Sequence, residues 1–224
     1  MMLNLFSVFD PTTSINLSMN WMSLIFMFMF LPNLYWFIPS RWNIFYFNLF
    51  KYLIKEFKML MNNKINLMNI LMFMTLFILI MLNNFIGLFP YIFTSTSHLS
   101  ISLSISLTLW LSMMLFGWIN YTNHMFTHLV PQGTPTLLMS FMVLIETISN
   151  FIRPITLAVR LSANIIAGHL LMTLISSTGS KLSMMLLMLM LFSQMILVVL
   201  ELCVSVIQAY VFSILSMLYS IESN

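Results

Sequence analysis

Charge is what this sequence has least of: only 6% of its 224 residues are Asp, Glu, Lys or Arg, while 61% are hydrophobic. A water-soluble domain clothes itself with about a quarter charged residues, so the solvent for this chain is lipid. No Asp, Glu, Lys or Arg occurs between Lys64 and Glu146. That stretch is long enough for about three bilayer crossings at roughly 20 residues each, which excludes a merely peripheral protein. The formal charge of +3 gathers largely in Lys51, Lys55, Lys58 and Lys64. It is a local patch and argues against a nucleic-acid partner. With five glycines there is no phosphate-cradling loop, so any nucleotide hydrolysis belongs to a partner. The one cysteine, Cys203, lies in an apolar stretch, can form no intrachain disulfide and behaves as a small hydrophobe. Alanine is scarce as well. Its four positions, 158, 163, 167 and 209, stand beside 24 methionines, a bias toward A+T-rich codons that points to organellar coding, since Met and Leu are near-equivalent in lipid. Met1 to Pro11 has neither the pattern of a cleaved secretory signal nor that of an Arg-rich transit peptide.

What is present divides the chain into apolar segments. A first crossing is expected from about Trp21 to Ile38, with Trp21 and Trp36 as interfacial anchors and Pro32 tolerated. From Arg41 to Lys64, Lys51, Lys55 and Lys58 recur at helical spacing opposite Phe50, Leu53, Ile54 and Phe57. This predicts an amphipathic helix on the membrane surface. Further crossings are expected at about Leu67 to Leu88 and Leu99 to Ile119, joined by a short loop containing His98. Ser100, Ser102, Ser104 and Ser106 alternate like a β-strand. The apolar run continues for about twice the length a barrel strand needs and no partner strands recur, so a helix is expected. Its hydroxyls can bond back to the helix's own carbonyls. A polar loop, Asn120 to Pro135, precedes helical residues from about Leu137 to Ser177, roughly 60 Å and twice the hydrocarbon thickness. A steep tilt is favoured over a break at Pro154. The turn Ser176 to Lys181 leads into a last apolar stretch, about Leu182 to Tyr219. The expected fold is thus an all-α integral membrane protein. It has about five membrane-embedded helices, a surface amphipathic helix and a long tilted C-terminal hairpin, in one membrane domain, 1–224, with parts 1–66, 67–136 and 137–224. The excess of Arg41, Lys51, Lys55, Lys58 and Lys64 over Lys181 places the C-terminus on the matrix or cytoplasmic side and the N-terminus opposite.

The chemistry concentrates in the hairpin. Glu146, Arg153 and Arg160 follow one another at seven-residue intervals, which returns them to nearly one helix face, and Asn150 and Asn164 widen that stripe. Charges near a bilayer centre each cost about 2.5 to 3.5 kcal/mol on insertion scales, so an ion path is the sharp reading. The plain reading is a structural ion pair, Glu146 with Arg153 or Arg153 with Glu201. A common hairpin register would pair Arg160 with Gln208, His169 with Glu201 and Glu146 with Glu222, giving three polar layers. His169 and the carboxylates can relay protons, whereas an arginine stays charged.

The stretch from Ile145-Glu146-Thr147-Ile148-Ser149 through Arg153-Pro154-Ile155-Thr156-Leu157-Ala158-Val159-Arg160 to Ala167-Gly168-His169 resembles the signature of the ATP synthase a subunit family. The segments Asn83 to Tyr91, His128 to Pro135 and Asn4 to Pro11 resemble its animal mitochondrial form, and the similarity spans essentially the whole chain. The resemblance implies a non-catalytic, proton-translocating stator subunit of the membrane sector, Fo. Its partners would be the c-ring, the peripheral stalk and other Fo subunits, in the mitochondrial inner membrane with the N-terminus in the intermembrane space. Arg160 would face the c-ring carboxylate and block direct leakage. His169 with Glu201 would serve the intermembrane-space half-channel and Glu146 with Glu222 the matrix half-channel, with Asn164 and Gln208 as polar neighbours of the arginine. The role of Arg153 stays open.

No cofactor or metal is expected. His124 and His128 have ligand spacing but no third ligand nearby, and Met184, Met185 and Met188 serve as apolar filler. An ion-coupled transporter would tend to carry internal repeats and more spans. A purely structural subunit would have no need of Arg160, His169 and Glu201 in lipid.

Overall fold

A computed structural model describes residues 5–14, 17–32, 34–61, 67–130, 135, 138–179 and 182–222. Lys64, Lys181 and the 131–134 turn, all used in the sequence reading, lie outside the described residues. Among the described residues all extended secondary structure is helical apart from one isolated bridge, Ser14 with Leu17. Four helices are long and apolar enough to cross a membrane: α3 (Leu67–Gly87), α4 (Leu99–Asn120), α6 (Met139–Thr178) and α7 (Met184–Glu222).

The first crossing differs from its expected form. A short helix, α1 (Ser23–Phe26), is lengthened by 3-10 turns at Met19–Met22 and Met27–Phe30, and there the helix ends. Leu31 is extended, with φ −76° and ψ 125°. It directly precedes Pro32, whose ring crowds the residue before it out of the helical region and which has no N–H to continue the ladder. A continuous helix from Trp21 to Ile38 therefore does not form. The passage is still made, because the Leu5–Phe9 turn packs near His169 while α2 (Arg41–Leu60) lies toward the other end of α3.

The amphipathic segment is α2. Ser40 caps it, its hydroxyl accepting from the Asn43 N–H at 3.4 Å. Phe57 is fully buried and joins Leu53 and Phe50 against Ile70, Phe73 and Met217, while Lys51, Lys55 and Lys58 are exposed. Ile54, expected on the apolar face, is instead exposed.

Serine makes close helix packing possible. Ser102 and Ser106 of α4 are buried, and their hydroxyls donate back to the Leu99 and Leu103 carbonyls, each at 3.3 Å. Satisfied internally, these small side chains admit the close approach of α6. On α7, Ser205, Ala209, Ser213, Ser216 and Ser220 are buried, and α3 packs extensively on this helix. The main core joins Phe77 and Ile80 of α3, Leu109 of α4, Leu157 and Leu161 of α6, and Ala209 and Phe212 of α7.

α6 runs unbroken through Pro154. The proline is fully buried among Ser106, Trp110, Phe212 and Tyr219. Neighbouring helices thus support the turn that loses a hydrogen bond, as membrane helices permit. Forty residues at 1.5 Å each span about 60 Å, so α6 fits a bilayer of about 30 Å only at a steep tilt. The polar loop after α4 contains a helix that was not anticipated, α5 (Thr122–Leu129). Its apolar side is only Met125 and Leu129, one turn apart, too short a pattern to stand out from the polar residues around it.

Candidate functional site

α6 and α7 hold their polar groups at three levels. In the middle, Gln208 Nε2 donates to the Arg160 carbonyl at 2.6 Å, and its Oε1 accepts from Asn164 Nδ2 at 3.3 Å. One buried glutamine of α7 therefore grips one turn of α6, from Arg160 to Asn164. The Arg160 side chain is exposed. Among the described residues it has no carboxylate within ion-pair reach, since the ion pairs formed there all belong to Arg153.

About 10 Å along α6 from Arg160, Arg153 is paired. Its Nη1 meets Glu222 Oε2 at 2.5 Å, its Nη2 lies 3.7 Å from Glu146 Oε1, and its guanidinium carbon sits 5.2 Å over the Tyr219 ring. Glu146 and Glu222 share a level as the register requires, and Arg153 is what joins them. The alternative pair of Arg153 with Glu201 does not form, because Glu201 lies on α7 about 30 Å from Glu222 along the helix axis. Among the described residues Asn150 adds a buried Oδ1 without a hydrogen-bond partner, and with Trp110, His128, Tyr219 and Glu222 it lines a small open cleft. His128 is exposed, as expected of a solvated histidine, but stands on α5 rather than in a loop.

At the other end, Glu201 is buried and lies against Gly168. A Cβ added at that glycine would come within 2.6 Å of Glu201 Oε1 and 3.2 Å of its Cγ. Only glycine lets the carboxylate approach α6 so closely. Among the described residues both oxygens of Glu201 and His169 Nε2 are buried with no hydrogen-bond partner. Buried polar atoms without protein partners mark places where water belongs. The Gly87 main chain faces the His169 ring. One turn earlier on α3, Asn83 and Asn84 are buried and leave amide atoms unpartnered.

Sequence reasoning missed four contributors: Gly168, which admits Glu201; Tyr219, which covers Arg153; and Asn83 and Asn84, whose burial no periodicity signals. Gly168 was within reach, since the register that pairs His169 with Glu201 puts its neighbour opposite the same carboxylate. Among the described residues no group of three or more His, Cys, Asp or Glu side chains is placed to hold a metal ion.

A polytopic helical membrane protein emerges, with ionisable groups arrayed along its last two helices and one guanidinium left open between them. Its sequence matches the family described as ATP synthase A chain over residues 3–220. It is 58% identical over 224 residues to ATP synthase subunit a of Drosophila yakuba, covering 100% of both chains. The subunit a of Locusta migratoria is 57% identical over 223 residues, 99% of each chain, and that of Anopheles gambiae 58% identical over 226 residues, 100% of each. The chain belongs to the ATP synthase A chain family.

Proposed function

We propose that this chain is the stator subunit through which protons reach and leave the rotor of a mitochondrial ATP synthase. Membership of the family makes it a non-catalytic, proton-translocating subunit of the Fo sector, a multi-pass protein of the mitochondrial inner membrane that assembles with other Fo subunits. The finer reading is ours. Arg160 meets the deprotonated carboxylate of the c-ring, while two half-channels end on either side of it. One passes His169 and Glu201 from the intermembrane space; the other passes Glu146 and Glu222 to the matrix. Asn164 and Gln208 hold the turn that carries Arg160. The N-terminus then lies in the intermembrane space, the C-terminus in the matrix, the gene in the organelle, and the peripheral stalk among the partners.

The observation that carries this reading is the placement of an exposed, unpaired guanidinium between two sets of titratable side chains, neither of which reaches it. An arginine cannot release its proton at any working pH. It can attract a carboxylate from outside the chain and bar direct proton transfer from one set to the other. Protons must then leave on a partner's carboxylate and return from it, which is what turns flow into rotation.

Glu201→Gln tests the intermembrane-space path. The amide fills the space against Gly168 but cannot take up a proton. Coupled ATP synthesis and ATP-driven proton pumping should both fall to background while the complex assembles in normal amount. Coupled synthesis at the parent rate would refute the path.

A further inference from the structure

His98 has no part in the relay proposed above, yet it makes one of the few ties between the N-terminal segment and the helices. Its Nε2–H donates to the Phe9 carbonyl at 3.0 Å across 89 positions of sequence. A carbonyl can only accept, so the tautomer or charge state that carries the Nε2 proton is the one present. The imidazole is held by two aromatic neighbours, Trp21 with ring centroids 5.2 Å away and Phe93 at 5.3 Å. Phe9 in turn presents its ring at right angles to His169, with 6.3 Å between centroids, and the Leu5–Phe9 turn packs on α6. Beside this contact, Thr94, Ser95, Thr96 and Ser97 are all buried, and the turn Ser95–Ser97 also packs on α6. Ser97 Oγ donates to the Thr94 carbonyl at 2.6 Å and accepts from Thr94 Oγ1 at 3.2 Å. The end of the molecule at which His169 and Glu201 carry unpartnered buried atoms is therefore roofed by two segments. One is the hydroxyl-rich connection between α3 and α4. The other is an N-terminal turn whose Phe9 carbonyl accepts from His98.

We propose that the Leu5–Phe9 turn is the cover of the His169–Glu201 relay and that His98 is the positioning residue that keeps it closed, an inference that rests on reading His169 and Glu201 as that relay. Phe9 packs at right angles against the His169 ring and covers that side of it. The His98–Phe9 hydrogen bond is one of the ties that hold this cover shut. Loss of a bond of ordinary net worth lifts the open population by roughly fivefold to tenfold.

Diethyl pyrocarbonate, which carbethoxylates accessible imidazoles, can be applied to the assembled synthase, with labelling of His169 followed by peptide mass spectrometry. His169 should label slowly in the parent. Labelling should quicken by about fivefold to tenfold in His98→Leu, which cannot donate to Phe9. It should stay slow in His98→Gln, whose amide N–H can replace the imidazole donor. If His98→Leu fails to assemble, Phe9→Ala is the second probe, because it keeps the main-chain bond and removes only the shielding ring; it too should speed labelling. Parent-rate labelling in both Phe9→Ala and His98→Leu would overturn the proposal, as would a parent His169 that labels as fast as either variant. His169→Ala, assayed for synthesis alongside, separates the two levels. If synthesis survives that change the relay reading fails, whereas loss of synthesis together with unchanged labelling removes only the cover.

Discussion

Arg153 and Arg160 stand two turns apart on one helix and carry the same side chain, but their surroundings are opposite. Arg153 has Glu222, Glu146 and the Tyr219 ring around its guanidinium. Arg160 has its main-chain carbonyl engaged by Gln208, an exposed side chain, and no ion pair among the described residues. Residue type and spacing therefore do not distinguish a charge that holds a hairpin together from one kept ready for a partner. What distinguishes them is whether the chain supplies the countercharge. In an apolar environment an uncompensated cation is costly. An open Arg160 is therefore what the proposed function, with a countercharge supplied by a partner subunit, requires.

Three substitutions sharpen or break this contrast, in falling order of effect. Arg160→Ala should abolish coupled ATP synthesis in an assembled complex, because the lost group is the one with no substitute in the chain. Gly168→Ala should come next. The added methyl displaces Glu201 from α6, and misplacing a relay group by about 1 Å costs on the order of tenfold to a hundredfold in rate. The check is ATP synthesis per assembled complex; parent-level synthesis would mean that Glu201 need not lie against α6. Arg153→Gln should be mildest in function. It removes the link between Glu146 and Glu222, with hydrogen bonds to charged groups worth about 1.5 to 3 kcal/mol each. Partial exposure of all three side chains argues for the lower end. The expected result is lower thermal stability with synthesis largely retained. Loss of synthesis in a stable complex would erase the distinction between the two arginines.

The long elements were legible because lipid writes them plainly. Long apolar runs, uncharged in α3 and α4 and sparsely charged in α6 and α7, located these helices to within a few residues, and the lysine and aromatic spacing located α2. The polar register was legible too, since a single turn position forces Arg160 toward Gln208, Glu201 toward the residues around His169, and Glu146 toward the level of Glu222. The failures share a cause: each depends on a neighbour rather than on the local pattern. Pro32 ends a helix and Pro154 does not, because Pro154 is walled in by α4 and α7 while Leu31 before Pro32 turns to extended backbone. Which carboxylate Arg153 chooses was decided by the distance between Glu201 and Glu222 along α7. Asn83 and Asn84 stood out in the sequence only as part of a family-like segment, and their burial shows only in the fold. Phe9 and His98, 89 positions apart, could be joined only by the fold.

The most direct test is passive proton conductance through assembled membrane sectors in vesicles under a pH gradient, with Arg160→Ala and Arg153→Ala compared side by side. If Arg160 alone separates the two paths, its removal should make the sector leak protons without coupled synthesis, while the Arg153 variant stays as tight as the parent. A tight, normally synthesising Arg160→Ala complex would contradict the account.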